Sequence, residues 1–404
     1  MEPEEGKYAW LYNENYKKLI KGALDRGLKL CFRVYDNGQD NIRPATPHFI
    51  RNAGAKGYFV NGVGKQHWTA YPDDLVFKDK WTNFVKALAK EYDNPEMVDF
   101  VDGYSIGAWG EAHTIKLLNE SKLSETLNWF TTLYNESFKR VLLLLPMNSQ
   151  VGFQMEKEIA IKKNGYNYRR DGLGSMWFTP KEKQMAKSIY GKVLLVGESC
   201  YWGCSNDDCK PFESDKVYSL KNWKEVYELT YKDAINYHFN TLDLREIPET
   251  KGWTEKAPHL VKNFIEKGGY RFFPIEISLP ETVNVNDNTI IVHSWVNKGT
   301  GYLPNNNIKW NYKYKPAVAI LNDKGEAVKV WIDDNAEPST WLNPKEIYKY
   351  NLPIKIPNLP KGKYSWAIAI IDKTENNKPG LKLAIKDGKL QSKWNILAHF
   401  MIKK

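Results

Sequence analysis

Between residues 28 and 267 the chain alternates short apolar runs with stretches whose apolar residues recur at helical spacing, a rhythm few folds accept. A helix is expected over 11–26, with Tyr12, Tyr16, Leu19, Ile20, Ala23 and Leu24 on one face and Gly27 as its stop. LKLCFRVYD at 28–36 then reads as a parallel strand covered on both faces. The order repeats: helix 79–92 (Trp81, Phe84, Val85, Leu88) and strand 98–107, then helix 124–140 and strand 141–148. A helix near 152–164 and a strand at 166–172 follow, then helix 180–190 and strand 192–198. Helix 219–238, strand 239–244 and a last helix at 257–267 complete the series. Alternating β and α units mean a doubly wound sheet or a (β/α)8 barrel. No GxGxxG turn follows the first strand and no Walker A sequence occurs, which disfavours the nucleotide-binding sheets.

After GGYRFFP at 268–274 the period changes to two. Alternating strands are expected at 289–297, 308–321, 327–333, 348–356, 363–372 and 394–402, with NDKG (322–325), LPKG (359–362) and KDGK (386–389) as hairpin turns. The expected architecture is a (β/α) barrel over 1–271 followed by an antiparallel β-sandwich accessory domain over 272–404. A chain of 404 residues, 42% hydrophobic and 14% aromatic, can bury cores for both.

Other classes find little support. No apolar run approaches the roughly 20 residues of a membrane span, and the longest, VLLLLPM at 141–147, suits one buried strand. The net charge of +10 comes from lysines scattered among Asp, Glu and Asn, with no zinc module, RNA-recognition motif or arginine-rich arm, so no nucleic-acid partner is expected. Cys200, Cys204 and Cys209 lack the paired spacing and histidines of a zinc site. A disulfide within that loop (Cys204–Cys209, or one using Cys200) and free thiols both remain open. His48, His67 and His293 show no ligand spacing, and neither a metal nor another cofactor is expected.

The chemistry is expected where strands end, as on the C-terminal face of a barrel. YSIGAWGEAHT at 104–114 presents Trp109, Glu111 and His113 beside two glycines that permit a sharp turn. KVLLVGESCYW at 192–202 carries five apolar residues to Gly197, then Glu198, Tyr201 and Trp202. Each glutamate is read as closing a buried strand. Two such carboxyls suit glycoside hydrolysis, one protonating the leaving oxygen and one attacking. Burial beside Trp109 and repulsion from Glu198 are expected to make Glu111 hold a proton more tightly, as an acid/base needs. Arg33 and Asp36 after the first strand, Asn148, Arg169, Arg170, Asp171 and Asn240 are further candidates for sugar hydroxyls. Trp68, Trp109, Trp177, Tyr201 and Trp202 offer stacking faces. His238 and Arg245 read better as core or capping residues.

EPEEGKYAW at 2–10 resembles the segment after the second strand in clan A glycoside hydrolases, notably the beta-galactosidase-like barrels. The resemblance implies that LKLCFRVYD is strand three. It then places Glu111 as the acid/base on strand four and Glu198 as the nucleophile on strand seven. The whole chain is similar to a group of bacterial glycosyl hydrolases with the same two-part architecture. It departs from the clan pattern in having Gly110, where asparagine usually precedes the acid/base; His113 or Asn148 would have to hold the sugar hydroxyl instead. The register also implies that strands one and two lie upstream of Met1, so a barrel incomplete at its N-terminus is expected. An export signal there would place the protein in the periplasm, at the cell surface or outside the cell; otherwise it is cytoplasmic.

The expected function is retaining hydrolysis of an oligosaccharide or polysaccharide, exo or endo. The alternative from another class is a non-catalytic carbohydrate-binding protein on a degenerate barrel. A lyase of acidic polysaccharide, with Arg169 and Arg170 neutralising a carboxylate, is a third reading. Oligomeric state is left open.

Overall fold

A computed structural model describes residues 1–402 apart from 148–149, 205–207, 281–282 and 387. The expected turn at 386–389 therefore falls partly outside the described residues, as does Asn148. The chain divides into two compact units, Met1–Arg170 and Asp171–Lys404.

Strand β1 (Leu30–Arg33) is followed by a hairpin of β2 (Gly57–Asn61) and β3 (Gln66–Ala70). Then come β4 (Val98–Asp102), β5 (Leu142–Pro146), β6 (Asn167–Leu173), β7 (Leu195–Ser199) and β8 (Thr241–Leu242). The hairpin forms its own two-stranded sheet, and the other six follow the order β1-β4-β5-β6-β7-β8. A doubly wound sheet reverses its strand order part-way; this one never does. Successive strands added on one side, with helices between them, are the progression of a (β/α) barrel.

In the first unit β5 is wholly buried, so LLLLP is apolar at every position rather than alternating. The helices Leu75–Tyr92 and Leu123–Ser137 give it aromatic cover, with Trp81 and Phe130 meeting edge to face at 6.1 Å. The Asp74 carboxylate caps the first of these by accepting from Phe77 N at 3.0 Å. Asp93 at its other end accepts from the backbone of Lys139, Arg140 and Val141, which fixes where β5 starts.

Several expected elements differ. Strand 28–36 shortens to β1, which among the described residues pairs with β4 alone, and shifts register at Leu30/Cys31. Helix 11–26 splits at Asn13, whose side chain caps Glu14–Leu24, and that helix buries none of its residues. The hairpin β2–β3 was not expected, although Asn61-Gly62 is a turn signal. Gly57 and Gly62 in it leave no room for a Cβ against Trp68 and His67.

In the second unit the helix Pro180–Ile189 opens with a capping box of Thr179 and Glu182. Helix Trp223–Asn236 packs Trp223, Val226 and Tyr227 with Phe212, Trp253 and Leu260. An additional helix, Ile247–Lys256, precedes the expected last one, Pro258–Lys267. β8 keeps only two of the six residues expected for its strand. Cys204 and Cys209 are disulfide-bonded, while Cys200 is a buried free thiol.

The antiparallel strands are β9 (Phe272–Ser278), β10 (Asn288–Asn297), β11 (Tyr314–Asn322), β12 (Ala327–Ile332) and β13 (Tyr348–Lys355). β14 (Gly362–Asp372), β15 (Lys378–Leu381), β16 (Leu390–Gln391) and β17 (Trp394–Ile402) complete them. They form one sheet ordered β13-β10-β9 and another ordered β12-β11-β14-β17-β16, with β15 on β14. Ile291, Leu352 and Ile354 of the first sheet pack on Val318, Ile320 and Trp366 of the second, making a β-sandwich core. NDKG joins the paired strands β11 and β12, as a hairpin turn should. LPKG does not make a hairpin: β13 and β14 lie in different sheets, so the turn carries the chain across the sandwich. Trp341 is fully buried and Trp331 packs partly buried against the core. No helix among the described residues is long and apolar enough to cross a membrane.

Candidate functional site

In the first unit, Glu111 does not close its strand. β4 ends at Asp102, and Glu111 lies in the loop beyond it. Sharp backbone features account for the early exit. A Cβ on Gly103 would collide with Tyr166 and Tyr134, and one on Gly107 with the backbone of His113. The loop then folds back on itself through the bridge between Ala108 and His113. Trp109 (φ 55°), Ala112 (φ 59°) and Thr114 (φ 48°) all adopt the left-handed region beside Gly107 and Gly110. Non-glycine residues enter that region at a cost, and clusters of them mark ligand sites and active sites.

The strain is held by specific bonds. Trp109 donates Nε1–H to Gln39 O at 2.7 Å, and its backbone N–H bonds Asn37 O at 2.9 Å. Glu111 is nearly buried, and its Oε1 accepts from Arg33 Nη1. Arg169 of β6 approaches the same oxygen at 3.4 Å. Both arginines also reach Asp102 Oδ2, Arg33 through Nε at 3.1 Å and Arg169 through Nε at 2.6 Å. Two carboxylates and two guanidiniums thus alternate. His113 Nε2 lies 3.7 Å from the other Glu111 oxygen, Oε2. Opposite charges at these distances favour the carboxylate anion. The sequence does not show that two arginines converge on Glu111.

Asp36, expected at the sugar, is buried. Its carboxylate accepts from Ser105 Oγ at 2.7 Å and Thr69 Oγ1 at 3.4 Å, which ties β3 to the loop after β4. Burial pushes its carboxyl up to about 6, with those hydrogen bonds opposing. Arg170 follows Arg169 in β6 and is half-buried.

In the second unit, Glu198 does end its strand, as the penultimate residue of β7. Arg245, past β8, lies beside it, with Nη1 3.5 Å from Glu198 Oε2. The same guanidinium reaches Asp171 at 4.0 Å and Asp243 at 3.7 Å, and its Nε donates to Ser199 O at 2.7 Å. Asp243 in turn accepts from Ser199 N at 2.7 Å. Burial pushes the Asp243 carboxyl upward, Arg245 opposing and Glu198 adding to the shift. Glu249, buried in the first turn of helix Ile247–Lys256, is pushed up to about 7, mainly by desolvation. Tyr201 and Trp177 are each 58% exposed, while Trp202 packs partly buried against the Trp223 cluster. Asn240 is used structurally: its side chain donates to Tyr302 O at 2.8 Å and accepts from Tyr302 N at 3.0 Å.

Asp102 and Asp243 are not among the residues the sequence singles out, and Arg245 is expected there as a core or capping residue. The signal is present in VDFVDG and TLDLRE, where a charge sits at or just past the end of a strand. Each of the two glutamates lies beside a guanidinium, whose charge competes with any cation there.

No family model matches the sequence, and no curated protein matches it. Solved structures with partial similarity include an endo-1,4-beta-xylanase from Caldicellulosiruptor owensensis, at 12% identity and TM-score 0.38, covering 60% of this chain and 72% of that one. Endo-glycoceramidase II from Rhodococcus sp. aligns at 12% identity and TM-score 0.40, covering 89% of this chain and 86% of that one. A beta-glucosidase from Kluyveromyces marxianus aligns at 9% identity and TM-score 0.21, with 84% of this chain and 35% of that one covered. Likeness this distant carries no function; only the side chains can.

Proposed function

We propose that the protein is a retaining O-glycosidase acting on an oligosaccharide or polysaccharide, with Glu198 as nucleophile and Glu111 as general acid/base. The observation that carries this reading is that each nearly buried glutamate lies at or beyond the carboxyl end of a strand of one parallel sheet, in contact with an arginine. Carboxyl ends of parallel strands are where such sheets gather their chemistry.

In the first step Glu198 attacks the anomeric carbon and forms a glycosyl ester, while Glu111 gives a proton to the departing oxygen. Water then attacks the ester, Glu111 takes its proton, and Glu198 is released as a carboxylate. The mechanism needs carboxyls roughly 5–5.5 Å apart. Arg33 and Arg169 engage Oε1 of Glu111, and His113 lies beside its Oε2. Trp109, Trp177, Tyr201 and Trp202 offer stacking faces, and Arg170 and Asp171 are assigned to hydroxyls. Asp36 and Asn240, whose side chains are already bonded within the protein, support the backbone around the site. Residues 1–271 are assigned the chemistry and 272–404 an accessory role. The Cys204–Cys209 disulfide supports an exported protein.

The test is a panel of aryl glycosides, beta-galactosides first, with the product anomer followed by NMR and a 2-fluoro sugar as trapping label. Retention of configuration and label on Glu198 are expected; inversion, or label elsewhere, rejects the assignment. One observation favours the binding-protein reading: two arginines on Glu111 oppose its service as an acid. Oligosaccharide affinity without turnover across the panel would decide for it.

A further inference from the structure

We infer that Arg245 is the positioning residue for Glu198, holding its carboxylate ionised and fixing the direction in which it points; this rests on the glycosidase reading. Arg245 adopts φ 57°, a left-handed conformation uncommon for a residue with a side chain. That backbone is stabilised by what the side chain does. Its Nε donates to Ser199 O at 2.7 Å, while Asp243 Oδ1 accepts from Ser199 N at 2.7 Å and Ser199 Oγ at 3.2 Å. The residue that follows Glu198 is therefore held at both its N–H and its C=O by two side chains from the segment after β8.

A guanidinium is planar, so a bond through Nε sets the direction of the remaining fork. That fork places Nη1 3.5 Å from Glu198 Oε2 and Nη2 4.0 Å from Asp171 Oδ2, with Tyr201 stacked 6.0 Å from the guanidinium carbon. This cation thus faces several acids. Asp171 faces it from β6, Glu198 from β7 and Asp243 from beyond β8. Glu249 faces it from the following helix, with Glu246 at that helix's start. Glu198 must be ionised to attack, and removing this positive charge from among these acids makes it hold its proton to higher pH. The acidic limb of kcat/KM then moves upward.

The experiment compares wild type, Arg245→Gln and Arg245→Lys, with selectively ¹³C-labelled glutamate carboxyls titrated by NMR and Glu198→Gln used to assign the signal. Arg245→Gln is expected to raise the Glu198 midpoint by roughly one unit or more, with the acidic limb of kcat/KM moving by the same amount. Arg245→Lys keeps the charge but loses the planar fork that bonds Ser199 O while facing Glu198, so it should restore most of the midpoint and little of kcat. An unchanged Glu198 midpoint in folded Arg245→Gln overturns the inference. Should that variant fail to fold, an Arg245→Lys protein with wild-type kcat and midpoint overturns it equally. The NMR titration needs no turnover, so a wild type that hydrolyses nothing would reject the glycosidase reading while leaving the arginine's effect on Glu198 separately measured.

Discussion

Glu111 and Glu198 are both nearly buried glutamates beside arginines, yet the chain holds them by opposite means. Glu198 belongs to a strand, directly after the Val196 and Gly197 pairs of the β7–β8 ladder. Glu111 stands on a loop with three non-glycine residues in the left-handed region. It is held by Arg33 from β1 and Arg169 from β6, both braced on Asp102. Main-chain hydrogen bonds place the strand that carries the first, with Arg245 beside its carboxylate, and charge pairs hold the second. The carboxylate on a strand shares Arg245 with neighbouring acids, whereas the one on a loop shares Arg33 and Arg169 with Asp102.

The largest expected effects break this comparison at the carboxylates. Glu198→Gln should lower turnover by a factor on the order of 10⁴ or more, whatever the leaving group. Glu111→Gln should cost about 10²–10⁴-fold, and less as the leaving aryl group becomes more acidic. Equal losses across a series of leaving groups would refute the division of roles.

Stability should separate the two regions next. Arg169→Met leaves Asp102 and Glu111 nearly buried with half their positive charge gone, and should cost about 3–5 kcal/mol in urea unfolding. Arg245 is more exposed and its charge is shared, so Arg245→Met should cost roughly 1 kcal/mol. Similar losses would mean that the strand-borne site depends on charge as much as the loop does.

A pH-dependent effect comes third. The Asp36 carboxyl is raised to about 6 from an ordinary 3.8, so the folded protein favours its protonated form. The stability advantage of Asp36→Asn over wild type should therefore be near zero below pH 4. It should grow as pH rises through this window, to roughly 2–3 kcal/mol above pH 6. A flat difference between the two melting curves over pH 4–7 would show that Asp36 folds without a penalty for its charge.

The smallest effect tests the loop strain itself. Thr114→Gly removes a β-branched side chain from φ 48° and should stabilise by about 1 kcal/mol if the strain is real. Destabilisation would mean that the side chain's contacts outweigh its conformation.

The sequence alone determined the order of elements and the change of period near residue 272, because burial on one face or two writes itself into apolar spacing. Leu142–Leu145 declared a buried parallel strand, and Glu198 was legible because five apolar residues lead directly to it. The hairpin β2–β3 was missed although Asn61-Gly62 announces a turn, since the reading followed βα alternation across it. What no local pattern could show were contacts such as that of Arg33 with Glu111, 78 residues apart, or of Arg245 with Ser199 O, 46 apart. Those depend on which strand ends the sheet brings together. Only the tertiary structure decided that Asp36 is buried, that Asn240 holds a loop, and that Glu111 sits beyond its strand between two guanidiniums. A side chain's charge state is set by its neighbours in space, and its sequence neighbours are few among them.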